Sequence, residues 1–200
     1  MALLLVGCQP LDEGPAAAAG PGKGVAVAQL GGLRVDTWHS MAGYKRDRFP
    51  HWSSQGEGCD TRDVVLKRAG EAVLTTVDCK ITQGRWVSAY DGRSTSDPQD
   101  LDVDHMVPLA NAWRTGAAEW TDAKRGEFAN DLARPELIAV TASTNRSKGD
   151  QDPSQWKPPL VTYWCQYAQS WIAVKSYWKL TVTAAEKEAL TDMLETCPDV

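Results

Sequence analysis

Two stretches of the chain carry residue types that could hydrolyse a phosphodiester: Asp102-Val103-Asp104-His105-Met106-Val107-Pro108-Leu109 and, further along, Asn145-Arg146-Ser147-Lys148-Gly149-Asp150. Cutting such a bond near neutral pH needs a base that takes a proton from water. Histidine titrates closest to that range, which makes His105 the candidate. Attack builds negative charge on the phosphorus oxygens and on the leaving oxygen, and a hard cation held by oxygen ligands offsets it. Asp104 and the side-chain oxygen of Asn145 can supply those ligands while leaving most coordination positions to water and phosphate. Asp102 is a candidate for orienting His105 or the ligands. Arg146 is a candidate phosphate contact.

These side chains converge only if the elements carrying them are arranged for it. Adjacent residues on a strand point to opposite faces, so Asp104 and His105 can share one site only at a strand end or bend. Pro108 shortly afterwards provides such an end. Glu136 to Val140 reads as an apolar second strand, and Asn145 falls in the first turn of a short helix that Gly149 and Pro153 close. Backbone N–H groups and Lys148 are expected to face phosphate there. Upstream, Thr61 to Arg68 begins like a capped helix, and Ile81 to Tyr90 holds a strand-like GRWVSAY run that leads into the motif after a turn at Asp91-Gly92. Ala117 to Ala129 is expected to be helical.

The two segments resemble the HNH endonuclease motif, the ββα-metal finger, and D-V-D-H-M-V-P with N-R-S-K-G-D is similar to the corresponding stretches of the HNH domain in RNA-guided CRISPR nucleases. The wider pattern, DHMVPLANAW, FANDL, PELIAV and NRSKGD, resembles a bacterial secreted HNH nuclease family related to the C-terminal domain of GmrSD-type restriction enzymes. That resemblance runs from about Cys59 to Cys197. It implies Asp104 and Asn145 as ligands of one divalent metal, Mg²⁺ before Mn²⁺ or Ca²⁺, His105 as general base, and Lys148 as a phosphate or transition-state contact. The middle asparagine of the motif has no counterpart at the position nine before Asn145, which is Glu136; Asn130 in FANDL stands in for it. Residues 110 to 134 lengthen the connection between the two halves, an insertion that a helix would fill.

Taken singly, each residue has a plainer reading. An Asp-His pair is more often a capped turn than a site, and Arg146 and Lys148 would pass as solvated charges. Their occurrence together and in order favours the nuclease. Asn145-Arg146-Ser147 also matches a glycosylation acceptor, set aside because other features point to a bacterial chain.

Those features start at the amino terminus. Leu3-Leu4-Leu5-Val6-Gly7-Cys8 resembles a bacterial lipobox, with Cys8 the lipidation site, although the preceding stretch is too short for a working signal peptide. Residues 9 to 29, rich in Ala, Gly and Pro, read as a flexible tether. The remaining four cysteines permit three pairings, of which Cys59 with Cys79 and Cys165 with Cys197 is the simplest. A structural zinc site is disfavoured, since no C-x-x-C spacing exists. The net charge of −5 is not the basic footprint of a tight, sequence-specific DNA binder, but a metal and a few local cations, Arg114, Arg146, Lys148 and Lys157, can serve turnover.

Trp164, Trp171 and Trp178 recur every seven residues and so share one helix face. They read as core before base-stacking surface. Thr183 to Glu186 is a T-x-x-E capping box opening a last helix to Cys197, and Trp156-Lys157-Pro158-Pro159 reads as a rigid corner beside the site.

The expectation is therefore an α+β domain over residues 30 to 200, mainly helical with a small antiparallel sheet, carrying a ββα-metal core at about 84 to 152. Its function would be that of an exported, monomeric, metal-dependent and nonspecific endonuclease acting on DNA, with RNA a second substrate. It would meet a membrane only through an N-terminal lipid on a cell-surface or extracellular protein. The alternative is a noncatalytic surface lipoprotein that binds nucleic acid or a protein through the same scaffold. An esterase or zinc protease lacks its G-x-S-x-G or H-E-x-x-H.

Overall fold

The computed structural model describes residues 20–198. The lipobox-like stretch, Cys8 and the first part of the expected tether lie outside them. In chain order the elements are α1 (Lys23–Gly32), β1 (Ser54–Gly56), β2 (Cys59–Asp60), α2 (Thr61–Ala69), β3 (Glu71–Thr75), β4 (Ile81–Val87), β5 (Ser94–Thr95), β6 (Leu101–His105), α3 (Leu109–Arg114), α4 (Asp122–Ala129), β7 (Leu137–Thr141), α5 (Ala142–Lys148), α6 (Trp164–Trp178) and α7 (Ala184–Glu195). The class is α+β, with small antiparallel sheets. Among the described residues no helix is long and apolar enough to cross a membrane.

The element that matters most is the pair β6 and β7, antiparallel with Asp102 opposite Val140, Asp104 opposite Ile138 and His105 opposite Leu137. Alternation divides it cleanly. One face carries Leu101, Val103, Leu137 and Ala139, which pack with Val65 and Leu66 of α2 and Trp86 of β4. The other carries Asp102 and Asp104 and joins, through Val140, the larger core built on Tyr167, Trp171, Ile172 and Val174 of α6. α5 follows β7 directly.

The expected strand over Ile81 to Tyr90 forms only as far as Val87, as β4, and it pairs with β3 and β5 in a separate sheet. The helix expected over Ala117 to Ala129 is broken: a single 3₁₀ turn at Ala117–Glu119 precedes α4, with Thr121 capping the new start. α2 is capped by Asp60 reciprocally with Asp63, and α7 by Thr183 with Glu186 as its sequence foretold. Trp171 and Trp178 are buried, which sides with core.

One expectation is corrected. Residues 23 to 29, placed in the tether, form most of α1, and Ala26 and Leu30 are buried in the α6 core. An Ala- and Gly-rich sequence has no strong amphipathic stripe, but its small side chains let a helix lie close against the tryptophan helix. The domain therefore begins before residue 30.

Both disulfides join as the simplest pairing expects, Cys59 to Cys79 and Cys165 to Cys197, each with Cα atoms 4.9 Å apart. The second pins α7 to the first turn of α6, and a buried ion pair between Lys175 and Glu186 at 2.6 Å ties them again.

Candidate active site

The end of the β6–β7 pair that leads into the insertion, with His105 opposite Leu137, is where side chains from both faces of β6 come to one cavity. His105 is the last residue of β6, and a cavity of about 210 Å³ there is lined by Asp104, His105, Pro108, Asn145, Arg146, Gly149, Asp150 and Arg46. Sequence reasoning placed the aspartate and histidine at a strand end for this reason.

His105 is oriented from behind. Its Nε2 lies 3.0 Å from the carbonyl oxygen of Ala129, and a carbonyl only accepts, so Nε2 carries the hydrogen and Nδ1 keeps its lone pair. Among the described residues nothing bonds Nδ1. The Trp52 ring stacks on the imidazole at 5.7 Å between centroids, with His51 edge-on at 6.2 Å. Burial pulls the His105 pKa down to about 3, the Ala129 carbonyl opposing and the nearby Arg46 adding to the depression.

Asn130 follows the residue that supplies that carbonyl. Its Oδ1 accepts from Ser53 N at 2.9 Å and Thr61 Oγ1 at 2.7 Å, and its Nδ2 donates to the carbonyls of Pro50 and Gly126, both at 2.8 Å. One side chain thus locks the segment bearing His51 and Trp52 to the end of α4. Its place is behind the base.

Asp104 and Asp102 project from one strand face and meet two residues of one helix face, three apart on α5. Lys148 Nζ reaches Asp104 Oδ2 at 2.6 Å and the His105 carbonyl at 2.8 Å, and Asn145 Nδ2 donates to Asp102 Oδ2 at 3.0 Å. Tyr90 adds a hydroxyl to Asp104 Oδ2 at 2.6 Å. Burial raises the Asp104 pKa, against the pull of Lys148 and Tyr90.

Lys148 is not where its sequence suggested. It was expected to face phosphate, yet it is fully buried. A buried carboxylate on the strand beneath it makes pairing inward more favourable than hydration. Gly149, at φ +53°, then takes the chain away from the helix. Arg146 remains exposed at the cavity. Arg114 and Lys157 are engaged elsewhere, Arg114 over the Trp38 ring at 3.7 Å and on the Asp150 carbonyl at 2.6 Å, and Lys157 over Trp164 at 5.0 Å. Trp156 of the expected corner packs against Tyr90 and bonds Ser147 at 3.2 Å.

Glu136 sits at the expected middle-asparagine position but is fully buried, its Oε2 accepting from the Val107 N–H at 3.1 Å. Burial pushes its carboxyl well above the usual range. Tyr90, Arg46, His51 and Trp52 were not singled out from sequence. Tyr90 ends the GRWVSAY run, where it reads as an ordinary strand aromatic although it lies in the turn after β4, and Arg46 sits in a run of charges that reads as solvated surface; neither spacing signals a partner in β6.

Residues 61–193 match the family described as GmrSD restriction endonucleases, C-terminal domain. The chain belongs to this family. It is also 51% identical over 177 residues, 88% of this chain and 87% of the relative, to an uncharacterized secreted protein of the fungus Arthroderma benhamiae. No solved structure matches it. With a fungal relative this similar, source no longer argues against glycosylation of Asn145; its geometry does, because the amide is bonded to Asp102 within a helix.

The donor set can be tested against a divalent metal. Asp104 Oδ1 and Asn145 Oδ1 make no hydrogen bond among the described residues, and both residues line the cavity. No group of three or more His, Cys, Asp or Glu side chains is arranged to hold an ion among the described residues. Two oxygens with the remaining positions left to water and phosphate suit Mg²⁺ and not a tetrahedral zinc cage.

Proposed function

We propose that the protein is a metal-dependent endonuclease of the HNH type, hydrolysing phosphodiester bonds in DNA and, as a second substrate, RNA. The observation that carries this reading is the 3.0 Å contact of His105 Nε2 with the Ala129 carbonyl, in a histidine that lines the cavity: a carbonyl only accepts, so the proton belongs on Nε2 and Nδ1 is left as the acceptor a general base needs.

Three groups divide the work. His105 Nδ1 takes the proton of the attacking water, and the imidazolium so formed is stabilised through its Nε2–H by the Ala129 carbonyl. Burial keeps the imidazole neutral near pH 7, so Nδ1 is unprotonated and able to accept. Asp104 and Asn145 hold one divalent ion, Mg²⁺ in the first instance, with Mn²⁺ or Ca²⁺ as alternatives. Such an ion, when bound, offsets charge on the phosphate and leaving oxygen. Asp102 fixes the Asn145 amide so that its oxygen points away from the carboxylate. Lys148 fixes Asp104 and does not reach substrate. Asn130 positions the base.

Two disulfides and a relative named as secreted support an extracellular location. The mild negative charge fits turnover of abundant substrate without sequence specificity.

The test is cleavage of plasmid and single-stranded DNA by the oxidised protein with Mg²⁺ or Mn²⁺ against EDTA, beside His105→Ala. Cleavage that needs both metal and His105, falling at least about 100-fold in the variant, supports the reading. A folded His105→Ala protein with full metal-dependent activity contradicts it.

A further inference from the structure

Two guanidinium groups line the His105 cavity, Arg146 from α5 and Arg46 from a 3₁₀ turn at Arg46–Arg48. Arg46 lies outside residues 61–193, the part of the chain that the family match covers. Lys148 is committed to Asp104 and the His105 carbonyl, so no cation of the motif core except Arg146 is available to a substrate in this cavity.

The side chain of Arg46 is exposed and makes no ion pair or hydrogen bond among the described residues. Its backbone, by contrast, is anchored. Phe49 is fully buried, Arg125 Nε donates to the Arg48 carbonyl at 3.1 Å, and Asn130 Nδ2 donates to the Pro50 carbonyl at 2.8 Å. Asn130 therefore ties the Arg46 segment to the residue whose carbonyl orients the base. Arg46 and His105 line the same cavity.

We propose that Arg46 contacts the scissile phosphate during attack, taking the role that the motif's buried lysine cannot fill. The inference rests on the phosphodiesterase reading of the site. A guanidinium presents a fork of N–H donors that matches two phosphate oxygens, and no internal carboxylate neutralises this one. Placed where negative charge develops, it lowers the barrier electrostatically and forms no covalent bond. The family core would thus be completed by a segment preceding it, Arg46 to Trp52, which supplies a phosphate contact and the ring that packs on the base.

The experiment compares wild type, Arg46→Ala and Arg46→Lys on a short fluorescent DNA oligonucleotide with Mg²⁺ or Mn²⁺, separating kcat from KM, with thermal unfolding midpoints alongside. Arg46→Ala is expected to lower kcat about 100-fold at saturating DNA with an unchanged midpoint, and Arg46→Lys to restore part of the loss. Should the alanine variant unfold, Arg46→Lys against Arg46→Gln gives the same reading. A loss confined to KM overturns the proposal, because Arg46 then holds only flanking backbone, and so does an Arg46→Ala enzyme equal to wild type. A folded wild type that cleaves nothing overturns the phosphodiesterase reading instead, and this inference with it.

Discussion

At the scale of single residues, the site is defined by which atom is already occupied. His105 has one nitrogen engaged and one open; Asp104 has one oxygen engaged twice and the other open. Sequence could name both residues from their types and their joint order with Asn145. It could not say which atom is engaged and which is left without a partner, because that depends on Ala129, Tyr90 and Lys148, reached by tertiary contact. Asn130 illustrates the same limit: its identity came from a resemblance, its four partners from folding. Removing them in Asn130→Ala should destabilise the protein by about 2 to 4 kcal/mol and reduce kcat, read by urea denaturation and oligonucleotide cleavage; unchanged kcat in a folded variant would remove it from the positioning of the base. Glu136 gives a pH prediction. Its carboxyl stays protonated in the fold above the ordinary carboxylate range, while the unfolded chain releases the proton. Stability therefore falls as pH rises from that range toward the folded pKa. Glu136→Gln keeps an acceptor for Val107 without a proton to lose, so its gain in unfolding midpoint should be larger at pH 8 than at pH 5. A gain independent of pH would show that Glu136 is ionised in the fold.

At the scale of elements, a strand face and a helix face are matched residue for residue: Asp102 with Asn145, Asp104 with Lys148. The two-residue repeat of β6 and the turn of α5 make this possible, and sequence marked where each ends, β6 by Pro108 and α5 by Gly149 and Pro153. What sequence misjudged was direction. A lysine near a helix end reads as solvated, and only the position of Asp104 beneath it turns it inward. Lys148→Met should therefore cost about 3–5 kcal/mol by leaving Asp104 buried without its cation. Adding Asp104→Asn to that variant should recover much of the loss, measured by a double-mutant cycle in urea. Strict additivity would mean that the pair does not interact as its 2.6 Å separation requires.

At the scale of the whole molecule, the hairpin, α5 and the insertion bearing α3 and α4 are held between α2 on one side and the α6 core on the other. The heptad of tryptophans and the capped last helix announced that core. The contribution of α1 was hidden, since alanine and glycine carry almost no pattern. Leu30, 4% exposed against α6, supplies the check: Leu30→Ala should lower stability by about 2–4 kcal/mol, whereas a tether would give no change. All of this scaffolding serves one claim, that His105 is the base of a metal-dependent nuclease. It is tested most directly by cleavage with His105→Gly in the presence and absence of added imidazole, with Mg²⁺ or Mn²⁺ throughout. The account predicts a folded variant that is inactive alone and regains part of its cleavage when imidazole enters the vacated space beside Trp52. Cleavage by His105→Gly at the wild-type rate without imidazole would contradict it.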